Sequence, residues 1–247
     1  MKALVLSDIH GNWEALSAVL EDATQFDWEE ILFLGDLCGY GPDSELCFDR
    51  LREERLTFLC GNHDLYMSGE LKGDNFSDTA RKALLLGRAD LHPELRLFLK
   101  HQPPERRYRG IKMVHGSPIE PCCTYILNEY DVQANRSRCR QKLLLFGHTH
   151  IQEYYILEKK GPVSRVRPEV SQPEGDRVSY KGRNIWINPG SVGQPRDGDN
   201  RAAWGLLNTK KKEFAFHRTT YDYETTQKKL REKGYPEFLI DRLALGK

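Results

Sequence analysis

At 247 residues, with 39% apolar residues, the chain suits one large domain with a sizeable core better than two small ones. Thirty-seven Lys and Arg against thirty-six Asp and Glu leave a formal charge of +1, which argues against a dedicated nucleic-acid surface, and no apolar run reaches the length of a membrane span. No charged n-region or cleavage site precedes the first strand, so a cytoplasmic location is expected.

The first predicted strand, Ala3-Leu4-Val5-Leu6, runs into Ser7-Asp8-Ile9-His10. Trp13, Leu16, Val19 and Leu20 then recur at helical spacing, with Asn12 placed to cap the helix. Ile31 to Leu34 forms a second strand that meets Gly35-Asp36. A second helix, expected to bury Leu46 and Leu51, starts near Asp43-Ser44. Leu56 to Cys60 leads into Gly61-Asn62-His63-Asp64. This strand-helix-strand-helix-strand order implies parallel strands. The pattern is helical from Ser77 to Leu99, broken near His92-Pro93, where proline suits a helix start.

Ile111 to Val114 meets His115-Gly116, and a loop and helix over 124–142 lead to Leu143 to Phe146 and Gly147-His148-Thr149-His150. Beyond His150 the texture turns to β at Glu153–Leu157, Asn184–Ile187, Ala203–Leu207 and Glu213–His217. The polar stretch Lys159–Arg183 reads as a long exposed loop or hairpin. Helical segments begin at Tyr223 and at Tyr235-Pro236. The six cysteines form no CxxC pair and are expected to be reduced. Cys38 and Cys122-Cys123 are expected to be the more exposed.

Five apolar runs thus end in metal-ligand residue types, and five of the eight histidines lie at those ends. Apolar runs closed by glycine read as strands buried on both faces, and ligands collect beyond the carboxyl ends of such strands. Asp8 and His10, two apart in extended backbone, point the same way and can share a cation. Asp36 can bridge two cations through its two oxygens, Asn62 offers a neutral oxygen, and His148 and His150 can serve the two ions separately. Carboxylate, amide and imidazole together suit borderline divalent transition metals. Two such cations clamp a phosphate and lower the pKa of water held between them, so no protein base is needed. His92, His101 and His217 follow no ligand spacing and read as surface or satisfied-core residues.

Asp8-x-His10, Gly35-Asp36, Gly61-Asn62-His63-Asp64, the His115 segment and Gly147-His148-x-His150 resemble, in order, the five motifs of the calcineurin-like metallophosphoesterase superfamily. Asn188-Pro189-Gly190-Ser191-Val192 resembles a downstream segment of its compact bacterial and archaeal members. The resemblance implies an α/β four-layer αββα sandwich of two mixed β-sheets flanked by helices, forming one domain over 1–247. Its ligand-bearing core would be 1–150, and 151–247 its second-sheet and C-terminal helical portion. It further implies one metal at Asp8, His10, Asp36 and His150 and another at Asp36, Asn62, His115 and His148. The ions would be Mn, Fe, Zn or Co, with Mn favoured.

By the same resemblance His63 stabilises the transition state and protonates a leaving alkoxide, which keeps monoesters open beside diesters. Asp64 either orients that imidazole or caps a helix. The arginine that protein phosphatases and symmetrical dinucleoside tetraphosphatases carry after Gly-Asp is absent from Leu37-Cys38-Gly39-Tyr40-Gly41-Pro42. Arg196, and less so Arg136, are the candidate phosphate contacts; Arg138 reads as a solvated surface residue. The expected activity is metal-dependent hydrolysis of a small nucleotide-type phosphoester. A phosphoprotein or dinucleoside polyphosphate phosphatase and a non-catalytic scaffold are the alternatives. The sequence leaves oligomeric state open.

Overall fold

A computed structural model describes residues 1–159, 161–171 and 175–247. The chain opens with β1 (Lys2–Leu6), α1 (Trp13–Ala23), β2 (Glu30–Phe33), α2 (Ser44–Leu51) and β3 (Leu56–Phe58), followed by α3 (Asn62–Ser68), α4 (Asp78–Asp90) and α5 (Pro93–Lys100). Next come β4 (Glu105–Tyr108), β5 (Ile111–Val114), α6 (Glu129–Asn135), β6 (Leu143–Leu145), β7 (Gln152–Leu157) and β8 (Val163–Val166). The remainder is β9 (Asp176–Ser179), β10 (Asn184–Pro189), β11 (Ala202–Asn208), β12 (Glu213–Thr219), α7 (Tyr223–Glu232) and α8 (Glu237–Leu245).

Two mixed six-stranded sheets result, ordered β3-β2-β1-β11-β12-β9 and β4-β5-β6-β10-β7-β8. Successive side chains of a strand face opposite ways, and here each face has its own core. Ala3 and Val5 join Leu32, Met113, Leu145, Ile187 and Phe214 between the sheets, whereas Leu4 and Leu6 pack outward on Leu16, Val19 and Leu20 of α1. Leu143 and Leu145 likewise face the inter-sheet layer, while Leu144 and Phe146 pack with Val132 of α6. Burial on both faces is why these strands are apolar without alternation. The expected four-layer α/β architecture is what forms. β1, β2 and β3 are mutually parallel, as are β5, β6 and β10, so the loops leaving both parallel groups converge at one edge of the sandwich.

Asn12 caps α1, its side-chain oxygen accepting from Ala15 N at 3.1 Å. α2 buries Cys47, Phe48 and Leu51, and the expected Leu46 is half-exposed instead, because the helix starts at Ser44 and turns that position outward. Both sheets take three strands from before residue 150 and three from after it, so 151–247 completes both sheets rather than forming the second. The polar stretch 159–183 is neither one continuous loop nor a hairpin, since it carries two short strands that join different sheets. β8 extends the second sheet and β9 the first; both are edge strands, and an edge strand needs little apolar sequence. Residues 160 and 172–174 of that stretch lie outside the described residues. β4, charged and exposed at the opposite edge, escaped the sequence reading for the same reason. No helix among the described residues is long and apolar enough to cross a membrane.

β8 also neutralises a buried charge. Glu153 of β7 is fully buried and accepts hydrogen bonds from Tyr155 Oη at 3.0 Å and Arg165 Nε at 2.7 Å. Removing one partner of a buried ion pair costs about 3–5 kcal/mol. Arg165→Met is expected to lower the urea-unfolding free energy by about that amount, and adding Glu153→Gln should restore most of it. A single variant as stable as wild type would mean that Glu153 is solvated.

Candidate metal centre

Asp8, His10, Asp36, Asn62, His63, His115, His148 and His150 are all buried, although each lies in or beside a loop. The protein holds them there by bending its backbone. Asp8, His10, Asp36, His148 and His150 have φ between 51° and 68°, and they are five of the seven non-glycine residues with positive φ among those described. Left-handed backbone costs an ordinary residue about 1 kcal/mol or more. Asp8 and His10 therefore converge by turning, not by the extended alternation expected of them. Asn62 and His63 open α3 instead of prolonging β3.

Backbone hydrogen bonds set the turns. Asp8 N donates to Gly35 O at 2.9 Å and His10 N to Asp36 O at 2.9 Å, which laces the first two loops together. The Asn188–Val192 segment braces the others. Asn188 Nδ2 donates to Gly147 O and Thr149 Oγ1, both at 2.9 Å, and Ser191 Oγ donates to Asp8 O at 2.7 Å. Gly61 is required by space, since a Cβ there would lie 2.0 Å from Asp36 Oδ1.

Three groups of donor atoms form, each within 4.8 Å: Asp8, His10 and His150; His10, Asp36 and His63; Asp36, His115 and His148. The proton positions follow from the outer partners. His10, His150 and His115 each donate Nδ1–H to a carbonyl, of Cys38 (2.9 Å), Gln194 (2.6 Å) and Leu34 (2.9 Å). Their Nε2 atoms are thereby turned inward. His148 is reversed, its Nε2–H donating to Cys123 O at 3.1 Å, so that Nδ1 faces the centre. His10 Nε2 and His150 Nε2 lie 3.1 Å apart, a spacing at which two lone pairs share one small cation. Oδ1 of Asp8 and Oδ2 of Asp36 are buried with no hydrogen-bond partner. Asp36 Oδ2 stands 3.7 Å from His10 Nε2 and 3.4 Å from His115 Nε2, between the two halves. Unpartnered buried carboxylate oxygens beside inward lone pairs are what a cation site requires. The donor set fits a dinuclear centre for divalent cations.

Burial holds His10, His63 and His150 well below the usual imidazole range, hence neutral. Burial and then the charge of His115 bring His148 down to about 3. At His115 burial acts in the same direction, but the adjacent Asp36 carboxylate outweighs it and lifts the group to about 10. The neighbouring His115 in turn draws the Asp36 carboxyl down, against burial.

Of the two roles open to Asp64, orienting His63 is not the one it takes: its carboxylate accepts from the N–H groups of Asp36 (2.8 Å), Leu37 (3.2 Å), Cys38 (3.0 Å) and Gly61 (3.1 Å). It caps α3 and gathers the Asp36 loop. Burial and the charge of Asp36 push it up to about 7, against those hydrogen bonds. Arg136 is remote from the centre, donating to Glu158 O and Gly161 O in the β7–β8 connection. Of the cysteines expected to be the more exposed, Cys38 is fully buried, Cys122 is buried and Cys123 is partly buried. Arg196 does reach the site. Its backbone N donates to His150 O at 3.1 Å, and its guanidinium donates to Gln194 Oε1 at 2.8 Å.

Above the centre opens a cleft of about 270 Å³, lined by Asn62, His63 and His148 and by the unanticipated Tyr40, Phe76, Tyr125 and Arg242. No spacing or motif marked these four, which come from four separate segments.

The calcineurin-like phosphoesterase superfamily domain matches residues 1–212. An uncharacterized protein of Methanocaldococcus jannaschii is 32% identical, with 98% of this chain and 97% of that protein aligned. A metallophosphoesterase from Sphaerobacter thermophilus superposes with a TM-score of 0.88 at 34% identity, covering 100% of this chain and 99% of that one. A hypothetical protein of Pyrococcus horikoshii shares the fold, with a TM-score of 0.80 at 20% identity, covering 100% and 98%. The symmetrical bis(5'-nucleosyl)-tetraphosphatase of Psychromonas ingrahamii is 32% identical over 122 residues, 47% of this chain and 44% of that enzyme. The chain therefore belongs to the calcineurin-like phosphoesterase superfamily and is a metal-dependent hydrolase of phosphate esters, acting on a small phosphorylated molecule.

Stranding a buried donor costs about 1–3 kcal/mol, and Asp64→Ala strands up to four. Thermal unfolding of the metal-free variant is expected to show a loss of at least about 3 kcal/mol, with weakened Mn²⁺ binding. A wild-type melting temperature would show that the Asp36 loop holds its shape without this carboxylate.

Proposed function

We propose that the chain hydrolyses a nucleotide-type phosphoester, with manganese as the favoured metal and the cytoplasm as its location. Asp8, His10, Asp36 and His150 would hold one ion, and Asp36, Asn62, His115 and His148 the other. Two divalent cations there supply charge neutralisation at phosphorus and an acidified water. The observation that carries the reading is the orphaned Asp36 Oδ2, set between two imidazoles, beside a cleft lined by Asn62, His63 and His148.

The cleft walls support the substrate class. The Tyr125 ring stacks on His148 at 3.9 Å and 8°, and it is 43% exposed, which leaves an aromatic surface for a nucleobase. Arg196 lines the same cleft, its guanidinium 5.5 Å from the centre of the Tyr40 ring, with no carboxylate side chain paired to it among the described residues. It is suited to the non-bridging oxygens of a phosphate. The partial similarity to tetraphosphatases, named for a dinucleoside substrate, points to the same class.

His63 faces this cleft from among the rings of His10 (4.7 Å), Tyr40 (4.6 Å) and Phe76 (5.1 Å), and its Nδ1 has no hydrogen-bond partner. The negative charge of a bound phosphoester would favour its protonated form, which could then give its proton to the departing oxygen. Such acid catalysis contributes about 10²–10⁴-fold. An alkoxide is a poor leaving group that benefits from an acid, and an aryl oxide leaves without one. His63→Ala is expected to keep both metals, to lose about 10²–10⁴-fold in kcat/KM on alkyl monoesters, and to lose much less on aryl diesters. Equal losses on both would remove the leaving-group role.

A further inference from the structure

We propose that Arg196 and Arg242 form a subsite for a second phosphate of the substrate, so that the cleft takes molecules with two linked phosphates, such as nucleoside polyphosphates. The inference rests on the nucleotide reading for the organic part of the substrate, but not for the subsite. Both guanidinium groups line the cleft with His63 and His148. Among the described residues neither is paired with an Asp or Glu side chain, whereas Arg165, Arg201 and Arg218 are paired with Glu153, Asp199 and Asp197. Two cations facing one cleft repel each other. Burial, and then the charge of Arg196, hold Arg242 down to about 10. An anion placed between them relieves that repulsion, and a phosphate offers several acceptor oxygens to two planar forks.

The two arginines reach the cleft from different elements. Arg196 is tied to the metal half-site, its backbone N donating to His150 O at 3.1 Å, whereas Arg242 comes from α8. A phosphate at the metals would meet Arg196, and the next phosphate along a diphosphate linkage would meet Arg242.

The fold also fixes Arg242 in place. Leu239, Ile240 and Leu243 of α8 pack on Leu230 and Tyr235, with Tyr40 against the same cluster. Gly198 N donates to Gly246 O at 2.9 Å and Asn200 Nδ2 to Ala244 O at 3.2 Å, tying the end of α8 to the loop that carries Arg196. Arg242 Nε donates to Lys247 O, and the guanidinium lies 5.2 Å from the centre of the Phe238 ring. α8 lies beyond residues 1–212, the part matched by the superfamily domain. Arg242 is thus a feature of the C-terminal helices and not of the shared metal core.

The test compares kcat/KM for adenosine diphosphate, adenosine monophosphate, methyl diphosphate and methyl phosphate in the manganese-loaded full chain. Wild type, Arg242→Ala, Arg242→Gln and Arg242→Lys are measured, each with its melting temperature and metal content. Wild type should prefer each diphosphate to its monophosphate partner. Arg242→Ala and Arg242→Gln should reduce that preference at least tenfold, chiefly through KM, and Arg242→Lys should keep part of it. A diphosphate preference unchanged in both neutral variants, or no such preference in wild type, overturns the subsite. If the methyl compounds are preferred to the adenosine ones while the Arg242 effect persists, the nucleotide reading fails and the subsite stands.

Discussion

A carboxylate buried without a partner for one of its oxygens is costly, and in this protein Asp36 is kept in that state by everything around it. Its backbone N–H is taken by Asp64, its Oδ1 by the N–H of His63, and its Oδ2 is left facing His10 and His115. Asp64 does the gathering: by accepting four N–H groups from two loops it fixes the distance between the ends of β2 and β3. The left-handed turns at Asp8, His10, Asp36, His148 and His150 complete the arrangement. Such turns persist only where surrounding structure over-determines them. Here the two parallel strand groups and the Asn188–Val192 brace supply that support.

The sequence was most legible where one physical constraint governed each residue. Strands buried on both faces must be apolar throughout, so β1, β2, β5 and β6 stood out, and the ligand types at their ends declared the site. Legibility failed where partners lie far apart in sequence. Asp64 follows His63 directly, and adjacency suggested that it served the imidazole, whereas its partners are backbone groups around residues 36–38 and at Gly61. Edge strands β4, β8 and β9 need few apolar residues and left no periodic signal. Arg136 and Arg196 look alike in sequence, but only the second is anchored to a site residue, through its backbone hydrogen bond to His150 O.

The cleft divides the molecule's chemistry into two parts. Its floor is built by residues before 151, in the order that marks the superfamily. Its rim is assembled from Tyr40, Phe76, Tyr125, Arg196 and Arg242, which belong to separate loops and to the C-terminal helix. The rim residues are the ones placed to meet the organic part of a substrate. The docking of α8 against α7 and Tyr40 makes the C-terminal helices part of that rim, although no donor to the metal centre comes from them.

The most direct test of the account is a crystal structure of the manganese-loaded protein with an anomalous difference map recorded at the manganese edge. The account predicts two peaks flanking Asp36 Oδ2, one near His10 and His150 and the other near His115 and His148. A single peak, or two peaks that do not share Asp36, would contradict the bridging carboxylate on which the proposed centre is built.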